Sequence, residues 1–328
     1  MTKLLLLGLG RWGVNHLRNL QSMPVELYVA EADSRRLEPA RKLGLAEARL
    51  TTDYRGFIGD VDGVVIVTPA QSHFALCREF LKAGKDVFVE KPFTLVSTEA
   101  RQLAELAKRE KRILQVGHIL RFDPASQWLR DAIQAGKFGS VRILRSNFSG
   151  FKRPRNDSGV MFADAIHFVD LFTYFMGQPP ARISAVTQDF LGRGIEDASF
   201  LSLEYETGRG VTWATAETNY FLPGKIRELT VVGSELTAVC DFNVAQYKIK
   251  TFAHRHIKEG SGFKAVEGAL HQVESLPEEP LLAELRAFVD SVQTRKTPRA
   301  DGWSGYESVR LIEAALESAK SGRTVELR

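Results

Sequence analysis

Two side chains in this sequence have the type and setting for proton transfer. Lys91 closes the run Asp86-Val87-Phe88-Val89-Glu90-Lys91-Pro92, a short apolar segment ending in charge. A lysine at the end of a buried strand is partly desolvated, which lowers its pKa from about 10.4 toward the roughly 7–8 useful to a general acid or base. It can equally hold a substrate oxygen, pair with Glu90 or sit solvated on a rim. His167 lies in "GVMFADAIHFVDLFTYF", residues 159–175, which is apolar enough to be a buried helix. Asp164, His167 and Asp170 are spaced three apart, so successive groups turn by about 60° and form one polar strip. Burying two carboxylates and an imidazole is costly unless they are paired or line a cleft. A histidine braced by an aspartate within a core satisfies the same spacing.

A third constellation binds rather than reacts. Leu4–Leu7 reads as a strand buried on both faces, followed by Gly8-Leu9-Gly10-Arg11-Trp12-Gly13 and a helical stretch from Val14 to Leu20. In this strand–turn–helix context G-x-G-x-x-G is a dinucleotide cradle. Gly8 permits the turn, Gly10 lets a pyrophosphate approach, and Gly13 lets helix and strand pack closely. The helix N-terminus, with Arg11 and Trp12 in the loop, faces the phosphates. A plain strand-to-helix turn is the alternative. A second strand, Val25–Ala30, ends at Glu31, 18 residues past Gly13 and placed to accept from a ribose hydroxyl. That favours NAD over NADP, although Arg35 and Arg36 could hold a 2′-phosphate.

Further elements are needed to position these groups. Strands at 63–67, 86–89 and 112–116 alternate with helices at 73–81 and 97–108, the latter capped by Ser97; together they predict a doubly wound parallel sheet. Thr68, Pro69, Glu90, Lys91, Gly117 and His118 then fall at carboxyl ends of strands, where such sheets bind ligands. After Arg121 the pattern changes. A helix at 125–135 precedes strand-like stretches at 141–148, 183–190, 198–205, 210–217, 227–233 and 237–241, several of them alternating as half-exposed antiparallel strands do. Closing helices are expected at 281–294 and 304–320. Residues 253–276 receive no assignment. The domains expected are 1–119, a dinucleotide-binding α/β unit, and 120–328, an α+β unit with a large, mostly antiparallel sheet. The short link at 118–124 predicts rigidly apposed domains with a cleft between them.

These residues carry a resemblance. The glycine motif, Thr68-Pro69 with His73, Glu90-Lys91-Pro92 about 80 residues further on, and the helix with His167 resemble the Gfo/Idh/MocA oxidoreductases. "VGHILRFDP", "GKFGSV", "LPGKIRELTVVG" and "EPLLAELRAFVDSV" look like a subgroup of UDP-N-acetylglucosamine 3-dehydrogenases. The resemblance implies a Rossmann domain, an NAD(P)-dependent dehydrogenase acting on CH–OH groups, and a homodimer or homotetramer formed through the C-terminal sheet. It implies that His73, Glu90 and His118 border the cofactor and that Lys91 and His167 meet at the substrate hydroxyl. It departs at Ala163, where the family pattern has an aspartate; Asp164 sits one place later, and either orients His167 from there or leaves the role empty. Arg121 is a substrate-contact or interdomain ion-pair residue. Lys152, Arg153 and Arg155 are either a solvated loop or partners for a substrate diphosphate, with Asp170 also a candidate substrate contact and Lys225–Arg227 a second cationic pair. The substrate expected is a sugar or nucleotide sugar; a free sugar, an inositol, or a non-catalytic NAD(H)-sensing role are the alternatives.

Composition excludes other classes. The chain has 328 residues, 44% hydrophobic and 26% charged, with 44 Lys plus Arg against 40 Asp plus Glu, a net +4 too small and scattered to predict nucleic-acid binding. There is no uninterrupted apolar run of about 18 residues, so no membrane span is expected. Cys77 and Cys240 lack metal-ligand spacing and read as buried, reduced thiols of a cytoplasmic protein, with no metal site.

Overall fold

The computed structural model describes residues 1–155, 158–274 and 278–327. They divide into two compact units, one of residues 1–122 and 279–310, the other of 123–278 and 311–328.

The first unit is built on six parallel strands: β1 (Thr2–Leu7), β2 (Val25–Ala30), β3 (Leu50–Thr51), β4 (Gly63–Ile66), β5 (Asp86–Glu90) and β6 (Leu114–Gly117), in the order β3-β2-β1-β4-β5-β6. The order reverses direction beside β1, which places a crevice at the carboxyl ends of β1 and β4. Four consecutive leucines make β1 central because both of its faces are buried. The helices are α1 (Gly13–Gln21), α2 (Glu38–Lys42), α3 (His73–Lys82) and α4 (Ser97–Arg109). Ser97 is the first residue of α4 rather than its cap; Val96 takes the capping position, with no side-chain bond to the helix.

The second unit begins with α5 (Pro124–Gln134), capped by Asp123, whose carboxylate accepts from the Ala125 N–H at 2.9 Å. Its sheet has nine strands: β7 (Val141–Gly150), β8 (Arg182–Gln188), β9 (Ala198–Thr207), β10 (Gly210–Asn219), β11 (Lys225–Gly233), β12 (Thr237–Asp241), β13 (Ile249–Phe252), β16 (Leu270–Val273) and β17 (Val325–Glu326). The order is β16-β13-β12-β11-β7-β10-β9-β8-β17, antiparallel except between β7 and β10. A separate hairpin joins β14 (Arg255–Glu259) to β15 (Gly262–Val266). These last strands fill most of the stretch that the sequence left unassigned; its Ser275 and Leu276 lie outside the described residues. One sheet face is buried through Leu144, Leu201, Leu203, Leu229 and Val231, while the other exposes Ile143, Val186, Phe200 and Trp213.

The expected regular helix at 159–175 is two segments. A π-helical turn, Met161–Ala165, leads into α6 (Ile166–Met176), which stops at Gly177 with φ +69°. Glu196 anchors the start: its backbone carbonyl accepts from Val160 N–H at 3.0 Å and its carboxylate from Met161 N–H at 3.1 Å. The closing helices are α7 (Pro280–Thr294) and α8 (Gly302–Ser321). The first of these belongs with the six-stranded sheet. Leu281, Leu285, Phe288 and Val289 share a core with Leu4, Leu6, Val65 and Phe88. Residues 279–310 thus return to the unit formed by the N-terminal residues.

Candidate functional site

In the first unit the glycine turn has the geometry its spacing predicts. Gly8 sits at φ +100°, and a Cβ there would lie 2.7 Å from the Val67 carbonyl oxygen. A Cβ on Gly13 would come within 2.1 Å of the Gly8 carbonyl oxygen, so helix and strand touch backbone to backbone. A Cβ on Gly10 would meet nothing within 4 Å. The turn is therefore closed below and open above, as a pyrophosphate requires. Helix α1 has no side-chain cap and no acidic residue in its first turn, leaving the positive end of its dipole to an anion. Arg11 is exposed beside it.

Glu31, at the end of β2, is 8% exposed. One carboxylate oxygen accepts from the Leu9 N–H at 2.6 Å and the other from the Asp33 N–H at 3.0 Å. The same carboxylate thus fixes the glycine loop and keeps lone pairs for a ribose hydroxyl. Arg35 is bound to Asp33 by two hydrogen bonds of 2.9 Å, and Arg36 lies 3.8 Å from the same carboxylate. The residues present fit a dinucleotide.

Glu90 is the hub of the rim. Its carboxylate accepts from the Trp12 indole N–H at 2.7 Å and from the Lys91 N–H at 3.1 Å, and lies 2.7 Å from His16 Nε2. Burial by itself would raise the Glu90 pKa, but His16, Lys91 and the indole together hold it below the ordinary carboxylate value. His16, completely buried against Phe88, went unnoticed in the sequence. Its place four residues after Trp12, on the same helix face, was the available signal. Lys91 follows at the strand end, half-buried, with a cis peptide to Pro92.

His73 joins two strand ends. Nδ1 lies 2.9 Å from the Pro92 carbonyl and Nε2 2.9 Å from the Thr68 carbonyl, so both ring nitrogens are engaged by backbone. Burial pushes its pKa down against these two contacts. The Thr68 hydroxyl bonds Ser72 at 2.6 Å, and Pro69 is exposed next to it. His118 is buried; Arg121 is also buried and donates to the Arg299 carbonyl at 2.8 Å, tying the end of β6 to the returning segment. A cavity of about 490 Å³ in this unit lies at the other rim, by the first residues of β1 and β5, and contains none of these residues.

In the second unit the groups gather on the buried face of the large sheet. Phe148 of β7 lies between Thr218 of β10 and Arg227 of β11 in register. His167 stacks on Phe148 with ring centres 5.1 Å apart and planes 21° apart. Asp164, in the π turn, binds Lys152 Nζ at 2.7 Å. Asp164, His167 and Asp170 are 5%, 8% and 1% exposed, Asp170 being the deepest. Of the basic loop it is Lys152 that reaches this cluster; Arg153 is exposed. Of the pair on β11, Arg227 takes the inner-face row and Lys225 is exposed.

A six-stranded sheet of this order with an open glycine cradle and an acidic residue closing β2 defines a dinucleotide-binding oxidoreductase. Residues 2–118 match the NAD-binding Rossmann-fold domain of the GFO_IDH_MocA oxidoreductase family, and residues 130–327 match its C-terminal alpha/beta domain. The chain belongs to this family. It is 28% identical to scyllo-inositol 2-dehydrogenase (NAD(+)) of Bacillus subtilis, over 98% of this chain and 95% of that protein. It is also 28% identical to UDP-N-acetylglucosamine 3-dehydrogenase of Acidithiobacillus ferrooxidans, over 79% and 78%. Among solved structures, a levoglucosan dehydrogenase in complex with NADH shares the fold with a TM-score of 0.85 and 19% identity, covering 100% of this chain and 99% of that one. No described helix is long and apolar enough to cross a membrane.

Proposed function

We propose that this oxidoreductase uses NAD to oxidise a secondary alcohol on a sugar or nucleotide sugar. The observation that carries the reading is the Glu90 hub, which ties the glycine loop, through Trp12 and His16, to the backbone of Lys91. Lys91 is assigned to hold the forming carbonyl oxygen, and His167 to take the hydroxyl proton, with Lys91 as the other candidate for that transfer. A bound nicotinamide supplies the hydride acceptor. Gly8, Gly10, Gly13 and Glu31 hold the dinucleotide. Glu31 accepts from a free 2′-hydroxyl and repels a 2′-phosphate, while Arg35 and Arg36 are already occupied by Asp33; both features favour NAD over NADP.

A free cyclitol is the second reading, favoured by the likeness to the inositol dehydrogenase over nearly the full chain. Turnover is read by reduced-nicotinamide absorbance with NAD or NADP and a panel of UDP-sugars, free sugars and inositols. Lys91→Ala should lower turnover by about 10²–10⁴-fold while leaving NADH binding nearly intact. Normal turnover in that variant refutes the assignment. The exposed sheet face bearing Ile143, Phe200 and Trp213 supports a homo-oligomer, which light scattering on the full chain checks; a monomer at working concentration rules it out.

A further inference from the structure

The two cations of the inner-face cluster in the second unit are matched differently. Lys152 is matched by Asp164. Arg227 is matched by no carboxylate within ion-pair distance among the described residues; one of its guanidinium nitrogens donates to the Ser149 carbonyl at 2.8 Å and to the Ile226 carbonyl. The guanidinium carbon stands 3.4 Å from the Phe148 ring centre. Burial presses the Arg227 pKa down, with the charge of Asp164 opposing, and does the same to Lys152. Lys152 thus has a carboxylate at contact distance, whereas Arg227 has only backbone carbonyl acceptors, in partly desolvated surroundings.

A second observation points the same way. Tyr220, at the end of β10, is 2% exposed, and its hydroxyl has no hydrogen-bond partner among the described residues. Lys152 Nζ lies 5.2 Å from the Tyr220 ring centre and 5.3 Å from that of Phe148, so all four groups share one neighbourhood. A buried hydroxyl without a partner and a half-buried guanidinium without a counter-ion each carry a desolvation cost. A single bound anion satisfies both, since an arginine fork and a phenol hydroxyl can donate to the same oxyanion. The stacked His167 lies against Phe148, beside this position.

We infer that Arg227, Tyr220 and the Lys152–Asp164 pair form a subsite for an anionic group carried by the substrate, a phosphate, diphosphate or carboxylate. The inference rests on the hydride-transfer reading above for its view that His167 adjoins the reacting alcohol. Asp164 then acts as a positioning residue, holding Lys152 against the aromatic pair. A neutral polyol leaves the guanidinium and hydroxyl unmatched, so the site discriminates in favour of charged substrates.

Calorimetry on the full chain tests this without turnover. The ligands are inorganic pyrophosphate, inorganic phosphate and glucuronate, with glucose and myo-inositol as neutral controls. The anions should bind measurably and the neutral pair more weakly. Pyrophosphate or phosphate binding best points to a phosphorylated or nucleotide-linked sugar, and glucuronate binding best points to a sugar acid. Arg227→Met should weaken anion binding by about 30-fold or more, Arg227→Lys by less, and Tyr220→Phe by a smaller factor. Wild-type KM for a charged substrate should rise when phosphate is added, an effect that needs no variant to fold. Anions binding no better than glucose, or phosphate leaving KM unchanged, overturns the subsite. Anion binding that responds to Arg227 while no substrate reduces NAD instead condemns the hydride-transfer reading and leaves the subsite standing.

Discussion

The strand-end rim of the first unit and the inner face of the second sheet treat buried polar groups in opposite ways. On the rim, the two carboxylates and the His73 ring are partnered from within. Glu31 receives two backbone N–H groups, His73 meets two carbonyls, and Glu90 receives an indole, a backbone N–H and an imidazole contact. On the inner face, the Tyr220 hydroxyl has no hydrogen-bond partner among the described residues and Arg227 donates only to backbone carbonyls, while Lys152 has its carboxylate. A closed network holds a cradle in shape before anything binds, which is what a constant ligand such as a dinucleotide needs. An open one assigns part of its satisfaction to the ligand, which makes it selective.

The comparison breaks most sharply at the glycines. Gly13→Ala drives a Cβ to 2.1 Å from a backbone oxygen that cannot swing aside. It should cost at least about 3 kcal/mol and lower the melting temperature measurably. Gly10→Ala, whose Cβ enters open space, should leave thermal stability within about 0.5 kcal/mol. It should nevertheless weaken NADH binding, about tenfold or more by fluorescence titration, because the added methyl occupies the cradle. Equal melting losses in both variants would mean that the turn is not closed below and open above.

The first unit was legible because its signals are local. Leu4–Leu7, Val64–Ile66 and Val87–Val89 are continuous apolar runs, each bounded by glycine, proline or charge, so strand limits and the carboxyl-end rim followed from spacing. His16 was hidden because its partner Glu90 lies 74 residues away, and periodicity along one helix carries no such pairing. The return of α7 to the first unit was hidden for a similar reason. An amphipathic pattern marks which face is buried but not against what. Strands β14 to β16 were missed because β14, β15 and much of β16 are exposed on both faces and show no alternation. The π turn at Met161–Ala165 rearranges one residue within a helical sequence, and residue types suited to an α-helix do not distinguish the two. That turn carries Asp164 to Lys152, which the helical strip of Asp164, His167 and Asp170 did not anticipate.

A smaller effect sharpens the contrast through pH. The Glu90 carboxylate is held below its ordinary pKa in the folded chain, so it contributes stability that is fully present above the unfolded value of about 4.3. That contribution is lost as pH falls through the lowered folded value, when Glu90 takes up a proton and gives up its charge-assisted bonds. Glu90→Gln keeps the shape and removes the charge. It should cost about 1–3 kcal/mol at neutral pH, and its melting gap from wild type should narrow as pH drops below about 4. Denaturation of both proteins across that range reads the gap directly. A gap that stays constant down to pH 3 would mean that the rim is held by hydrogen bonds indifferent to charge. A gap that closes ties the glycine loop and Lys91 together through an ion, and so separates the rim, where Glu90 meets its cationic and N–H partners directly, from the inner face, where Arg227 has only backbone acceptors.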